Sequence, residues 1–215
     1  MLLDKKISLI FGCTGQDGAL LCRSLLKKNY KVIGISRKIK PDHKNQNCNL
    51  SILGIKEDII LEKFETYSIK QISNLLDQYR PSEIYNLAAQ SSVGQSYQYP
   101  KKTSQSIVDI TIDILEVCRQ TDYDGNIFFA GSSEIFGNTK TKANLNHKQS
   151  PISPYAIAKQ TSYNLVKLYR ELYNINCVTG ILFNHESHLR KKNFVTQKII
   201  TEALVCSKNK SHKLR

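Results

Sequence analysis

Tyr155 and Lys159 stand four residues apart in the segment Ser153-Pro154-Tyr155-Ala156-Ile157-Ala158-Lys159. A proline suits the start of a helix, and a helix running from there puts both side chains on one face, one turn apart. An isolated tyrosine, with a pKa of about 10, is a poor base at neutral pH, but a fixed ammonium beside it favours the phenolate. The pair therefore fits deprotonation of an alcohol. The same spacing also fits a packed ring beside a solvated amine, so the surrounding chain has to decide.

The elements around the pair point to a nucleotide. Lys6-Ile7-Ser8-Leu9-Ile10-Phe11 is an apolar run of strand length, followed by Gly12-Cys13-Thr14-Gly15-Gln16-Asp17-Gly18 and then by helical spacing of Leu20, Leu21, Leu25 and Leu26. Glycines three apart permit a tight turn and let backbone N–H groups at the helix start approach a pyrophosphate, which the helix dipole also favours. Strand, glycine turn and helix in this order are the context in which the spacing signifies a dinucleotide site. Lys31 to Ser36 reads as the second strand, and Ser36, Arg37 and Lys38 stand at its end, where an NAD site often has an acid. Cations there suit a 2′-phosphate and favour NADP over NAD. The alternative is that Arg37 and Lys38 are merely solvated.

Further along, residues 40–56 are polar and read as a surface loop, and Ile59 to Leu61 as a short strand. A helix carries Ile69, Ile72, Leu75 and Leu76 on one face and must end before Pro81. Glu83 to Ala89 is a buried strand with small residues at its end, a second long helix spans about Thr103 to Cys118, and Asn126 to Ala130 and Cys177 to Phe183 are further strands. Strands alternating with helices imply an α/β fold, a doubly wound and mostly parallel sheet with its ligands at the carboxyl ends of the strands. Gly131-Ser132-Ser133-Glu134 and Asn184-His185-Glu186 follow two such ends.

Composition excludes several classes. In 215 residues, 40% hydrophobic and 23% charged is ordinary globular usage. The net charge of +13 invites an anionic partner, with dense groups at Arg37 to Lys44 and Lys208 to Arg215, but there is no nucleic-acid-binding module and no basic stripe interleaved with aromatics. Nucleic acid is not the expected partner. No apolar run is long enough for a membrane span, and the opening residues lead straight into a strand, so a soluble, cytoplasmic protein is expected. Six scattered cysteines without a Cys-x-x-Cys pair read as buried small hydrophobes of a reducing compartment, with neither a metal site nor a disulfide framework.

The set Gly12 to Gly18, Tyr85 to Ser91, Ser132 to Glu134, Ser153 to Lys159, Gly180 to Ser187 and Phe194 to Ile199 resembles the GDP-mannose 4,6-dehydratases, a family of extended short-chain dehydrogenase/reductases, over about residues 6–204. The glycine turn and Tyr-x-x-x-Lys belong to the whole superfamily; the Gly180-Ile181-Leu182-Phe183-Asn184-His185-Glu186-Ser187 and Phe194-Val195-Thr196 strings are narrower. The resemblance implies a Rossmann-like fold and a lyase that converts GDP-mannose to its 4-keto-6-deoxy product with NADP. Tyr155, helped by Lys159, would take the proton of the sugar 4-hydroxyl while hydride leaves carbon 4. Glu134 would then remove the carbon-5 proton and assist loss of the 6-hydroxyl as water, after which hydride returns to carbon 6. Ser132 stands where the family usually has threonine and would hydrogen-bond the 4-oxygen. Gly12, Cys13, Thr14, Gly15, Gln16, Asp17 and Gly18 would hold the pyrophosphate and Arg37 the 2′-phosphate. Leu87, Ala88, Ala89, Gln90 and Ser91 would line the nicotinamide side, with His185 and Arg190 as further cofactor contacts and Glu65 as a weak stand-in for an acid near the adenine. Ser91, Asn184 and Glu186 would meet the substrate.

Several positions depart from the family. His188-Leu189-Arg190-Lys191 keeps one arginine of a usual pair, and Lys102 replaces a tyrosine used near the cofactor; both changes are expected to weaken cofactor binding. The resemblance implies a C-terminal substrate domain beyond residue 215, so the expected organisation is an NADP-binding domain over 1–204 and a basic tail over 205–215. Pairing through the two long helices, about Thr103 to Cys118 and Pro154 to Tyr173, would make a homo-oligomer. Two alternatives stand beside the dehydratase: a truncated remnant that only binds cofactor or pairs, and another extended epimerase or reductase of nucleotide sugars.

Overall fold

Six strands form one sheet: β1 (Ile7–Phe11), β2 (Lys31–Ser36), β3 (Ile60–Lys63), β4 (Glu83–Asn86), β5 (Asn126–Ala130) and β6 (Cys177–Gly180). All neighbours pair in parallel, in the order β3-β2-β1-β4-β5-β6. The computed structural model describes residues 5–37, 48–64, 68–192 and 194–209. β1 lies in the middle, and Ser8 to Phe11 are wholly buried, which is why it reads as a continuous apolar run rather than an alternating one. The chain builds outward from β1 to β3, then returns to the other side of β1 for β4 to β6. That reversal opens a crevice outside the carboxyl ends of β1 and β4, the place where doubly wound sheets bind ligands. The expected Rossmann-like fold is therefore the observed one.

The chain divides into two units, residues 1–183 and 184–215. The first holds the sheet with helices α1 (Gln16–Lys27), α2 (Asn49–Ile52), α3 (Ile69–Tyr79), α4 (Val93–Gln98), α5 (Pro100–Ser104), α6 (Ile110–Gln120) and α7 (Pro154–Tyr173). Helix ends follow local chemistry. Ser68 Oγ accepts from Gln71 N to start α3, and Arg80, at φ 45°, stops it just ahead of Pro81. Ser153 Oγ accepts from Ala156 N to start α7, with Pro154 at its first position, and Asn174 ends it in a left-handed conformation. The second unit holds α8 (Val195–Lys208), which carries past residue 204: Ala203 and Leu204 are strong helix formers, and no glycine or proline interrupts the run to Lys208.

Three expectations change. Residues 40–56 do not all form a surface loop: Asn49 to Ile52 is a helical turn, because Leu50 and Ile55 are drawn into the core. The second long helix is not uniform from Thr103 to Cys118; a π-helical segment, Gln105–Asp109, joins α5 to α6. β4 and β6 stop short, at Asn86 and Gly180. Gly12, at φ 84°, turns the chain away after β1, so beyond the Leu87 N–H bond to Phe11 O the next residues of β4 have no ladder to join.

α1 approaches the sheet at Gly18, where an added Cβ would lie 2.3 Å from the Gly12 carbonyl oxygen. Gly18→Ala is expected to lower unfolding free energy by about 1–3 kcal/mol. Gly94→Ala in α4, where the new carbon would meet only Ser92 Oγ at 3.9 Å, should leave stability unchanged or slightly raised. Urea unfolding of the two variants beside the parent checks both signs.

Candidate active site

Lys159 is not a solvated amine. Its side chain is 7% exposed, and Nζ donates to the carbonyl oxygen of Ala130, the last residue of β5, at 2.6 Å. Nζ lies 5.8 Å from the centroid of the Tyr155 ring. Tyr155, at 8% exposure, packs on Ile107 and Ala158. Burial pushes the Lys159 ammonium down to about 8, because water no longer solvates the charge and a carbonyl is a weaker substitute. α7 therefore presents a buried phenol and a buried amine on one face, as their spacing predicts.

Ser132 lies just past β5, buried, and caps the short 3-10 turn Ser133–Phe136 by accepting from Glu134 N at 3.3 Å. Ser133 N donates to Leu182 O, which pins the turn beside the end of β6. Glu134 is half-buried on this turn, and the turn packs against α7. Ser132, Glu134, Tyr155 and Lys159 thus gather at the carboxyl ends of β5 and β6.

At the end of β1 the glycine turn is built of close approaches. Gly12 N and Cys13 N both point to Ile35 O, and an added Cβ on Gly12 would lie 2.8 Å from Ala88 N. Gly15 caps α1 with no side-chain hydrogen bond. Thr14 Oγ1 meets Ser36 Oγ at 3.0 Å, and Asn49 Nδ2 holds Thr14 O at 3.1 Å. This cradle fits a pyrophosphate: a helix N-terminus without a side-chain cap faces it, and side chains are excluded where the backbone must come close. Cys13 enters the turn through its backbone, for its side chain is wholly buried beneath it. Arg37, at the end of β2, is exposed.

After β4, Ala88 N donates to Asn86 Oδ1 and Gln90 N to Ser106 Oγ. The Gln90 amide bonds Ser92 at both ends, donating to its carbonyl and accepting from its N–H, so Leu87 to Ser91 form a held loop. Sequence reasoning missed what supports it. In the π-helical segment the Ile107 carbonyl accepts from the hydroxyls of both Thr111 and Ser162, which lie 3.2 Å apart and tie α6 to α7. Asn86, Thr111, Ser162 and Lys159 border one small cavity of about 10 Å³. The signal was faint: a threonine and a serine at helical positions otherwise filled by apolar residues.

Glu65 lies outside the described residues. In the unit 184–215, Asn184, His185 and Glu186 are exposed, while the Arg190 guanidinium donates from Nε to Glu186 Oε1 at 3.2 Å and stacks 4.0 Å from the Phe194 ring centroid. Arg190 and Glu186 thus occupy each other within their own segment.

The sequence profile of the GDP-mannose 4,6 dehydratase family matches residues 9–215. GDP-mannose 4,6 dehydratase 1 of Arabidopsis thaliana is 37% identical over 207 residues, covering 93% of this chain and 57% of that protein. GDP-mannose 4,6-dehydratase of Vibrio cholerae is 36% identical over 204 residues, covering 91% of this chain and 54% of that protein. The chain thus spans a little over half the length of these curated relatives. Among solved structures, a UDP-glucuronic acid 4-epimerase from Bacillus cereus superimposes with a TM-score of 0.80 at 22% identity, covering 93% of this chain and 63% of the other. DesIV, a dTDP-glucose 4,6-dehydratase from Streptomyces venezuelae, gives 0.79 at 19% identity, covering 93% and 62%. These two likenesses speak for the fold. The family profile and the curated relatives speak for descent, and on them the chain belongs to the GDP-mannose 4,6 dehydratase family.

Proposed function

We propose that this chain carries the dinucleotide-binding and proton-transfer half of a nucleotide-sugar dehydratase, acting on GDP-mannose and using NADP. The observation that carries the reading is the buried Tyr155–Lys159 pair set beside the Ser132–Glu134 turn, in the same layer of strand ends as the glycine cradle.

Gly12 to Gly18 would hold the pyrophosphate, Leu87 to Ser91 the nicotinamide side and Arg37 the 2′-phosphate. A nicotinamide dinucleotide bound there supplies a hydride acceptor that finishes the cycle in its starting state. The chain's own residues handle the protons. Tyr155 receives the proton of the sugar 4-hydroxyl at its phenol oxygen, and Ser132 hydrogen-bonds the 4-oxygen. Oxidation at carbon 4 acidifies carbon 5, whose proton goes to the Glu134 carboxylate. Glu134 delivers that proton to the 6-hydroxyl, which departs as water. His185, Asn184, Glu186 and Arg190 are assigned to cofactor or substrate by family resemblance.

Lys159 has to be charged to favour the Tyr155 phenolate, yet burial works against the charge. Its folded pKa of about 8 lies below the ordinary lysine value of 10.5, so the fold is penalised wherever the unfolded chain would be protonated. The penalty is complete below pH 8 and vanishes above about pH 10.4. It is on the order of 3 kcal/mol.

Incubated with GDP-mannose and NADP, the purified chain is expected to yield a product lighter by one water, read by mass spectrometry. Tyr155→Phe should slow that conversion by about 10²- to 10⁴-fold. Equal rates for parent and variant defeat the assignment. For Lys159→Met, stability relative to the parent should rise as pH falls from about 10.4 to 8 and level off below, in denaturant unfolding across that range.

A further inference from the structure

A second cavity, of about 250 Å³, opens past the carboxyl ends of β2 and β4. Arg37 enters it from the end of β2 and Gln90 from the segment after β4, so it lies at the ends of the two strands that flank β1. Tyr99, Lys102 and Thr103, from the start of α5, line it as well. Among the described residues, no carboxylate lines it.

Three features of this cavity fit an anion. Two basic side chains, Arg37 and Lys102, reach it from different elements. The Lys102 ammonium lies 5.6 Å from the Tyr99 ring centroid, a contact that limits where a long, flexible side chain can go. The Thr103 hydroxyl is the third. The residue is 1% exposed, and its Oγ1 has no hydrogen-bond partner among the described residues. A buried hydroxyl left unpaired is costly, and an acceptor oxygen from an occupant would relieve it. The Gln90 side chain, bonded at both ends to Ser92, keeps the wall in place.

We propose that Lys102 and Arg37 together bind a phosphomonoester, the 2′-phosphate of NADP, with Thr103 donating a hydrogen bond to it. This deepens the dinucleotide reading above and rests on it. In a doubly wound fold the ribose 2′ substituent lies at the end of the second strand, which is where Arg37 stands. A dianion held between two cations is bound far better than beside one, through charge-assisted hydrogen bonds. Lys102, a departure expected from the sequence to weaken cofactor binding, is on this account a specificity residue that strengthens it.

Calorimetric titration of the intact 215-residue chain tests this with NADP, NAD, 2′,5′-ADP, 5′-ADP and inorganic phosphate. The parent is expected to bind NADP at least about tenfold more tightly than NAD, and 2′,5′-ADP more tightly than 5′-ADP. Lys102→Met, at an exposed position where folding should survive, is expected to lose about tenfold for NADP and 2′,5′-ADP, and less than about twofold for NAD. The loss should shrink at high salt. Thr103→Val should reduce the same preference by a smaller factor. An unchanged NADP affinity in Lys102→Met, or equal affinities of the parent for NAD and NADP, overturns the proposal while leaving the dinucleotide site standing. Binding of neither dinucleotide removes the dinucleotide reading and this proposal with it. Lys102-dependent binding of inorganic phosphate, without discrimination between the two ADP isomers, overturns the assignment to the 2′-phosphate.

Discussion

An ammonium removed from water must be given an acceptor, and for Lys159 the acceptor is the carbonyl of Ala130. That bond joins the middle of α7's first half to the end of β5, and much of the site is arranged around it. β5 ends there, its pairing with β4 having stopped one residue earlier at Phe129 while its pairing with β6 runs on to Ala130. α7 is held at the right depth by Ser162, which meets Thr111 and the Ile107 carbonyl across the helix interface. The π-helical segment that contains this carbonyl is thus part of what holds α7 in place. A π segment forgoes regular helical bonding, and its persistence here has an identifiable return in the α6–α7 contact.

How far this was legible in the sequence follows from the range of the forces involved. The glycine turn, the strand runs and the start of α7 are set by neighbours in the chain: φ at Gly12, the Ser153 cap, the proline at the first position of α7. Such features are visible in a linear string. The sheet order could be expected in class from alternation alone, and the class is what was found. Less visible was anything decided by tertiary burial. Leu50 sits in a polar stretch and reads as loop, yet it is wholly buried and brings Asn49 onto the glycine turn. Lys102 reads as a lost tyrosine until the fold sets it across one cavity from Arg37.

The candidate catalytic residues were legible by type and spacing, but their surroundings were not. Nothing in Tyr-x-x-x-Lys says that the lysine is buried or that its charge is held against a desolvation penalty. The same motif on a solvated helix would have no such tension. The burial of both partners, with Ile107 and Ala158 closing over the ring, sets aside the reading of a packed ring beside a wet amine.

Four of the five free cysteines of the first unit, all but the half-buried Cys48, have a consequence of a different kind. Cys13, Cys22, Cys118 and Cys177 are buried, and burial drives their thiols upward, Cys22 to about 12. A thiol reacts as its thiolate, so these four are silent toward alkylating reagents and oxidants for as long as the native packing lasts. Cys13 lies directly under the glycine turn, its Sγ within reach of Gly34 on β2. Chemical modification of Cys13 and opening of that turn are therefore the same event, and the chain carries its own clock for local unfolding at the place where a nucleotide would sit.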